Sequence, residues 1–169
     1  MFDTEIVLNE FMVRYLSLVV ADIAEAEMGE QPVAGFNPPR WILGHLAIST
    51  DLALRVGGRR FRCPKDWHRS FRRGSPATGS VAVTATKEQF LDAVTSGFAA
   101  ARDVCRELPP AVAGRPHGIA FLADTPLQTV EHLLAHLLTT HLATHVGQLS
   151  SWRRFRGRAP IEPMTDPAT

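Results

Sequence analysis

The chain has 169 residues, 45% of them hydrophobic and 21% charged, with a formal net charge of +1. That length suits one domain with a sizeable core, and the near-neutral charge gives no global pull toward nucleic acid or a membrane surface. Two distant cysteines, Cys63 and Cys105, make no disulfide framework, and the apolar run "YLSLVVA" is too short to span a bilayer.

The acids in the opening "MFDTEIVLNEF" stand where a signal peptide would be basic, so a reduced, cytoplasmic protein is expected. The first helix is predicted from about Asp3 to Glu27. Ile6, Val7, Phe11, Met12, Leu16, Val19, Val20 and Ile23 give it an apolar face wide enough for neighbours on two sides. After "GEQPVAGFNPP", Asn37 as N-cap and Pro38 at the first helical position open the second helix. It carries "RWILGHLAISTDLALRV" and stops at Gly57-Gly58. The connection "RRFRCPKDWHRSFRRGSPATGSVAVTA" has no helical period and is expected to be an ordered irregular loop, with residues 80–86 able to form one short strand.

Thr86-Lys87-Glu88-Gln89 is a capping box for a third helix, which reaches about Leu108 ahead of Pro109-Pro110. After "AVAGRPHGIAFLAD", Thr125-Pro126-Leu127-Gln128 reads as another box, opening a fourth helix that ends near Arg156, before Gly157. The predicted fold class is therefore all-α: an antiparallel four-helix bundle over residues 1–157, with a long loop between helices two and three. The Pro-rich tail 158–169 is expected to be frayed or draped over the surface.

The fourth helix holds two His-x-x-x-His pairs, His132/His136 and His141/His145. At ~100° per residue, with His132 at zero, His136 falls near ~40°, His141 near ~180° and His145 near ~220°. The first pair shares its side with Thr139, Thr140, Gly147 and Arg154 and is assigned to the surface. The second shares its side with Leu134, Leu137, Leu138, Leu149 and Trp152, so it faces the core. Two imidazoles one turn apart on a buried face can converge on one ion, although on spacing alone two hydrogen-bonded core histidines fit equally well. His45 is the candidate third ligand. It lies mid-helix in "WILGHLA" beside Gly44, a residue costly in a helix unless something approaches closely or a ligand needs room.

"NPPRWILGHLA" followed far downstream by "HLATHVGQLSSWRR" resembles the DinB-like (YfiT-like) superfamily of metal-binding four-helix bundles. "KDWHRSFRRGS" is similar to a segment that many members carry between helices two and three. The resemblance implies that His45, His141 and His145 hold a divalent ion, commonly zinc or nickel, and that the chain forms a homodimer. Characterised relatives include thiol-dependent transferases and isomerases that use mycothiol, bacillithiol or glutathione, and others are described as metal-dependent hydrolases. His132 and His136 lie outside the family pattern.

Three neutral imidazoles leave an ion its full charge and an open position, which can lower the pKa of a water to about 7 or deprotonate a thiol. Leu142 stands where His-Glu-x-x-His peptidases carry their base, which favours thiolate chemistry, since a thiolate needs no separate base. A metal-dependent enzyme acting on a small molecule is therefore expected, with a low-molecular-weight thiol as co-reactant and S-transfer or isomerisation ahead of hydrolysis. The alternative is a non-catalytic bundle that binds a metal or a small ligand. Gln148, ~20° from His141 on the wheel, is the candidate catalytic residue that orients a substrate or a water. Asp22, His68 and Cys63 are weaker candidates for the site's surroundings. The basic loop 59–73 is read first as a solvated rim, then as a patch for the carboxylates of an acidic thiol, and last as a nucleic-acid surface.

Overall fold

The heptad-spaced residues Phe2, Leu16 and Ile23 are all buried in a computed structural model that describes residues 1–77 and 83–162. They seat helix α1, Asp3–Ala21, and the segment that follows it. The expected two-sided face is only partly used, because Val7 and Phe11 remain 65% and 41% exposed. The helix also stops earlier than Glu27, and only a short 3-10 turn, Glu25–Glu27, follows. Its end is fixed by cations from far along the chain. Lys87 Nζ donates to the carbonyls of Ala21 (3.1 Å) and Ile23 (2.8 Å). Arg153, 3% exposed, donates to the Val19 carbonyl and to the Asp22 carboxylate. These groups satisfy carbonyls that the helix end leaves open and complement its negative pole.

Helix α2, Pro39–Val56, begins one residue later than expected, with Pro38 at the cap. Thirteen of its residues are buried, so it lies at the centre of the molecule. The glycine stop holds, with Gly58 at φ 76°. Beyond it the long connection is not wholly irregular. Lys65–Ser70 forms a short helix, α3, which buries Trp67 and leads into buried Phe71. The turn fits between Pro64 and these two aromatics, whose spacing of four was a helical signal in an otherwise polar stretch. The expected strand at 80–86 lies partly outside the described residues, and 83–86 form no regular element.

Helix α4, Lys87–Glu107, opens on the expected capping box. Thr86 Oγ1 accepts from the Gln89 backbone N–H at 3.2 Å, and Gln89 Oε1 accepts from the Thr86 N–H at 2.9 Å. It packs on α2 where Gly97 faces Thr50, so closely that a Cβ on Gly97 would lie 2.3 Å from the hydroxyl oxygen. A one-turn helix, α5, covers Pro110–Ala113.

The predicted Thr125 cap is not used. Helix α6, Val130–His136, starts at a later cap, Thr129, whose side chain accepts from the His132 N–H. Residues ahead of it are held extended: the Val130 N–H donates to the Arg115 carbonyl (2.8 Å) and the His117 N–H to the Gln128 carbonyl (3.3 Å). Pro126 disfavours a helical Thr125, whose hydroxyl bonds the Leu122 carbonyl instead. A single π turn, Leu137–His141, links α6 to the last helix, α7, Leu142–Phe155. The fold is all-α, and the described residues contain no strand, only an isolated bridge between Pro116 and Thr129. No helix among them is long and apolar enough to cross a membrane.

Candidate metal centre

His45 sits in the middle of α2, one turn after Trp41, and Trp41 lies flat on its ring with centroids 4.8 Å apart and planes 7° from parallel. Phe71, delivered by α3, packs against the bare backbone of Gly44. A Cβ there would lie 2.5 Å from the phenyl ring. The oddity of a mid-helix glycine is thus explained by close approach, of an aromatic ring from the loop. With Phe71 so seated, its carbonyl accepts from His45 Nδ1 at 2.7 Å. That bond puts the proton on Nδ1 and leaves the Nε2 lone pair of His45 facing the space beyond.

Into that space α7 and the π turn deliver His141 and His145. The three rings lie 4.7–5.2 Å apart between centroids, and one ligand atom from each falls within 4.8 Å of the others. His45 Nε2 and His141 Nε2 are 3.2 Å apart, a hydrogen bond in which His141 donates, since His45 carries its proton on Nδ1. Two nitrogens at ~2.05 Å on a tetrahedral ion would be ~3.3 Å apart, so this pair already has a bidentate spacing. His145 turns its Nδ1 to Gln148 Oε1 at 3.0 Å. Histidines that bind metal characteristically give the far nitrogen to a carbonyl or similar acceptor, and both His45 and His145 do so here. His141 Nδ1 is buried without a partner among the described residues.

Burial keeps the cluster neutral. It pushes His141 down to about 3, helped by repulsion from His145, His45 and His136. It pushes His145 to about 4, with His45 adding to the effect and the Gln148 bond opposing it. His45 is also lowered by burial, against the pull of the Phe71 carbonyl. Neutral imidazoles present lone pairs, which is the form a divalent ion requires. The donor set therefore fits such an ion.

Beside the triad is a cavity of about 430 Å³, within the range of small-molecule sites. Ile48, Leu52, Phe121, Leu133 and Leu137 supply much of its wall, and Arg72, Arg73 and Gly74 reach its edge. His136 also lines it, which corrects its assignment to the surface. A regular helix would set His136 ~140° from His141. The π turn packs more residues into one turn and closes that angle, leaving the two rings 5.6 Å apart. His132 is exposed, as expected.

The remaining candidates lie elsewhere. Gln148 touches the rear of His145 and does not line the cavity. Asp22 is paired with Arg153 and Arg158. His68 and Cys63 gather around Asp51, a fully buried carboxylate that accepts from His68 Nε2 (2.8 Å) and from the N–H groups of Arg62 (2.7 Å) and Cys63 (3.0 Å). Burial and the Asp51 charge push the Cys63 thiol up to about 12. Sequence reasoning passed over Phe71 as an acceptor and Arg72–Arg73 as cavity residues. The near repeat of aromatics in "WHRSF" was the available signal for the turn that presents them.

A family model described as the DinB superfamily matches residues 10–149, and the chain belongs to that superfamily. No curated protein and no solved structure matches it.

Proposed function

We propose that this member of the DinB superfamily holds a divalent ion, zinc or nickel, on His45, His141 and His145. On this reading the ion serves a metal-dependent reaction of a small molecule in the adjoining cavity, with thiol S-transfer or isomerisation ahead of hydrolysis. The observation that carries the reading is the convergence of three imidazole nitrogens within 4.8 Å, two of them oriented from behind by the Phe71 carbonyl and Gln148. A divalent ion on three neutral ligands supplies undiminished positive charge at an open position, where a thiol or a water loses its proton readily.

The chain's own residues set the conditions. Trp41 fixes the plane of His45, Gln148 fixes that of His145, and the apolar wall limits water around the reacting groups. Among the described residues no carboxylate lines the cavity, so a water nucleophile would lack a nearby acidic side chain as base, and this supports the thiol route. The two cysteines do not line it either, and both thiols are pushed up to about 12, chiefly by burial. A small-molecule thiol is accordingly the co-reactant. Exposed Val7, Leu8 and Phe11 on α1 support a homodimer, and a monomer mass in sedimentation would remove that part of the reading.

The test is consumption of an electrophile such as monochlorobimane by metal-loaded protein with glutathione, bacillithiol or mycothiol in turn. Turnover that needs the thiol, stops on chelation and returns on reloading is the expected result. Ester hydrolysis without thiol would replace transfer by hydrolysis, and bound metal with neither activity would leave a binding module.

A further inference from the structure

We infer that the cavity beside the histidines takes an amphipathic anion, an apolar body bearing a carboxylate, with Arg72 and Arg73 reading the charge. This rests on the reading that the small molecule occupies that cavity. Of the seven cations in the loop 59–73, Arg59 is paired with Glu107 and Arg62 is bonded to Ser96, while Arg72 and Arg73 are the two that line the cavity. Among the described residues neither of these two has an acidic partner, and no Asp or Glu lines the cavity. The formal charges that the described residues bring to the cavity are therefore positive.

The two arginines are exposed, but the backbone that carries them is pinned on both sides. Phe71, immediately before them, is buried and holds His45 through its carbonyl. Ser75, just after Gly74, accepts from Trp41 Nε1 at 3.0 Å, and its hydroxyl is 2.7 Å from the Arg72 carbonyl and 2.8 Å from that of Ser70. Gly74 takes φ 79°, which closes the turn. Both anchors, Trp41 and His45, line the same cavity, so hydrogen bonds tie the arginine turn to the histidine cluster. Arg73 is further placed over the Phe121 ring, 5.1 Å from its centroid. A guanidinium pair held this way matches a carboxylate by charge and by hydrogen-bond geometry. Between the arginines and the histidines the wall is made of leucine, isoleucine and aromatic side chains, which favours an uncharged apolar body over a sugar or a peptide.

The experiment is calorimetric titration with 4-phenylbutyrate, 4-phenylbutanamide and 4-phenylbutylamine. Wild type and Arg72→Gln/Arg73→Gln are compared, each both metal-loaded and chelator-stripped, with metal content measured separately. The acid should bind about five- to tenfold tighter than the amide in both metal states, as two partly solvated charge-assisted contacts allow. That preference should shrink at high salt and fall below about twofold in the double variant. Both replaced side chains are exposed, and circular dichroism checks that the fold is kept. In Arg72→Glu/Arg73→Glu the preference should pass to the amine. Equal binding of acid and amide, a preference that survives the double variant, or no binding of any compound overturns the inference. So does a preference found only in loaded protein, which would place the carboxylate on the ion. Absence of metal from wild type would remove the metal reading and leave the stripped-state comparison to decide this one.

Discussion

Gly44 carries no chemistry of its own, yet the position of His45 depends on it. Alanine there would drive a methyl to within 2.5 Å of the Phe71 ring, and Phe71 also supplies the carbonyl that orients His45. Gly44→Ala is expected to cost about 1–3 kcal/mol in denaturant unfolding, as overpacking does, and to weaken metal binding in a chelator competition. Gln148→Leu makes the contrasting case. It removes the acceptor behind buried His145 Nδ1 without crowding Phe71, so metal affinity should fall ~10–100-fold, with an unfolding cost no larger than the about 1–3 kcal/mol of one unpaired buried donor. An unchanged affinity in both variants would mean that the rings are oriented by something else. The three histidines themselves were legible in the sequence, because polar rings on apolar helical faces need a reason to be there. The Phe71 carbonyl was not, since a backbone acceptor leaves no mark in a side-chain pattern.

The π turn sets His136 and His141 side by side on the cavity wall. Asn9 of α1 is fully buried, donates from Nδ2 to the Leu138 carbonyl inside that turn (2.8 Å), and accepts from Arg102 of α4 (2.7 Å). Replacing it by leucine would take the side-chain partner from the buried Leu138 carbonyl and from Arg102 Nη1, although the Arg102 guanidinium keeps its ion pair with Glu10, at up to about 1–3 kcal/mol each. Asn9→Leu should therefore lower stability by several tenths to all of that sum and shift the environment of His136, visible in its NMR ring resonances. Stability and His136 signals like those of wild type would show that the turn stands without Asn9. A helical wheel cannot register a π turn, because it assumes a constant ~100° per residue, and His136 was misassigned for that reason. The buried asparagine was within reach: Asn9 lies seven residues from both Phe2 and Leu16, in the middle of a buried stripe.

Across the whole molecule, the ends of α1 and α7 are joined by ion pairs from residues over a hundred positions apart. Arg158 bonds the carboxylate of Glu27 at 2.5 Å and is paired with Asp22. The Ala24 backbone N–H, with Arg158, holds Glu27 below its ordinary value of 4.5. At Asp22 desolvation acts upward, but Arg153 and Arg158 outweigh it and bring the group below 3.8. Carboxylates with lowered folded-state values stabilise the native protein above their unfolded values, and lose that contribution as the pH falls through the folded ones. The stability gap between wild type and Arg158→Gln should accordingly be present at pH 7 and shrink below about pH 4, in urea midpoints taken at both. A gap that stays constant with pH would mean that Arg158 acts by packing. Such long-range pairs explain why the fold class and the start of the third helix could be read from local patterns while the end of the first could not. Capping boxes and glycine stops are local, but the cations that terminate α1 come from α4, α7 and the segment beyond.

The assignment of the metal centre is tested most directly by elemental analysis of protein purified without an affinity tag, for wild type and His145→Ala. Near-stoichiometric zinc or nickel in wild type, lost from a variant that keeps its helical circular dichroism, is the expected result. Metal-free wild type that stays metal-free after reloading, or a variant that retains the ion, would contradict it.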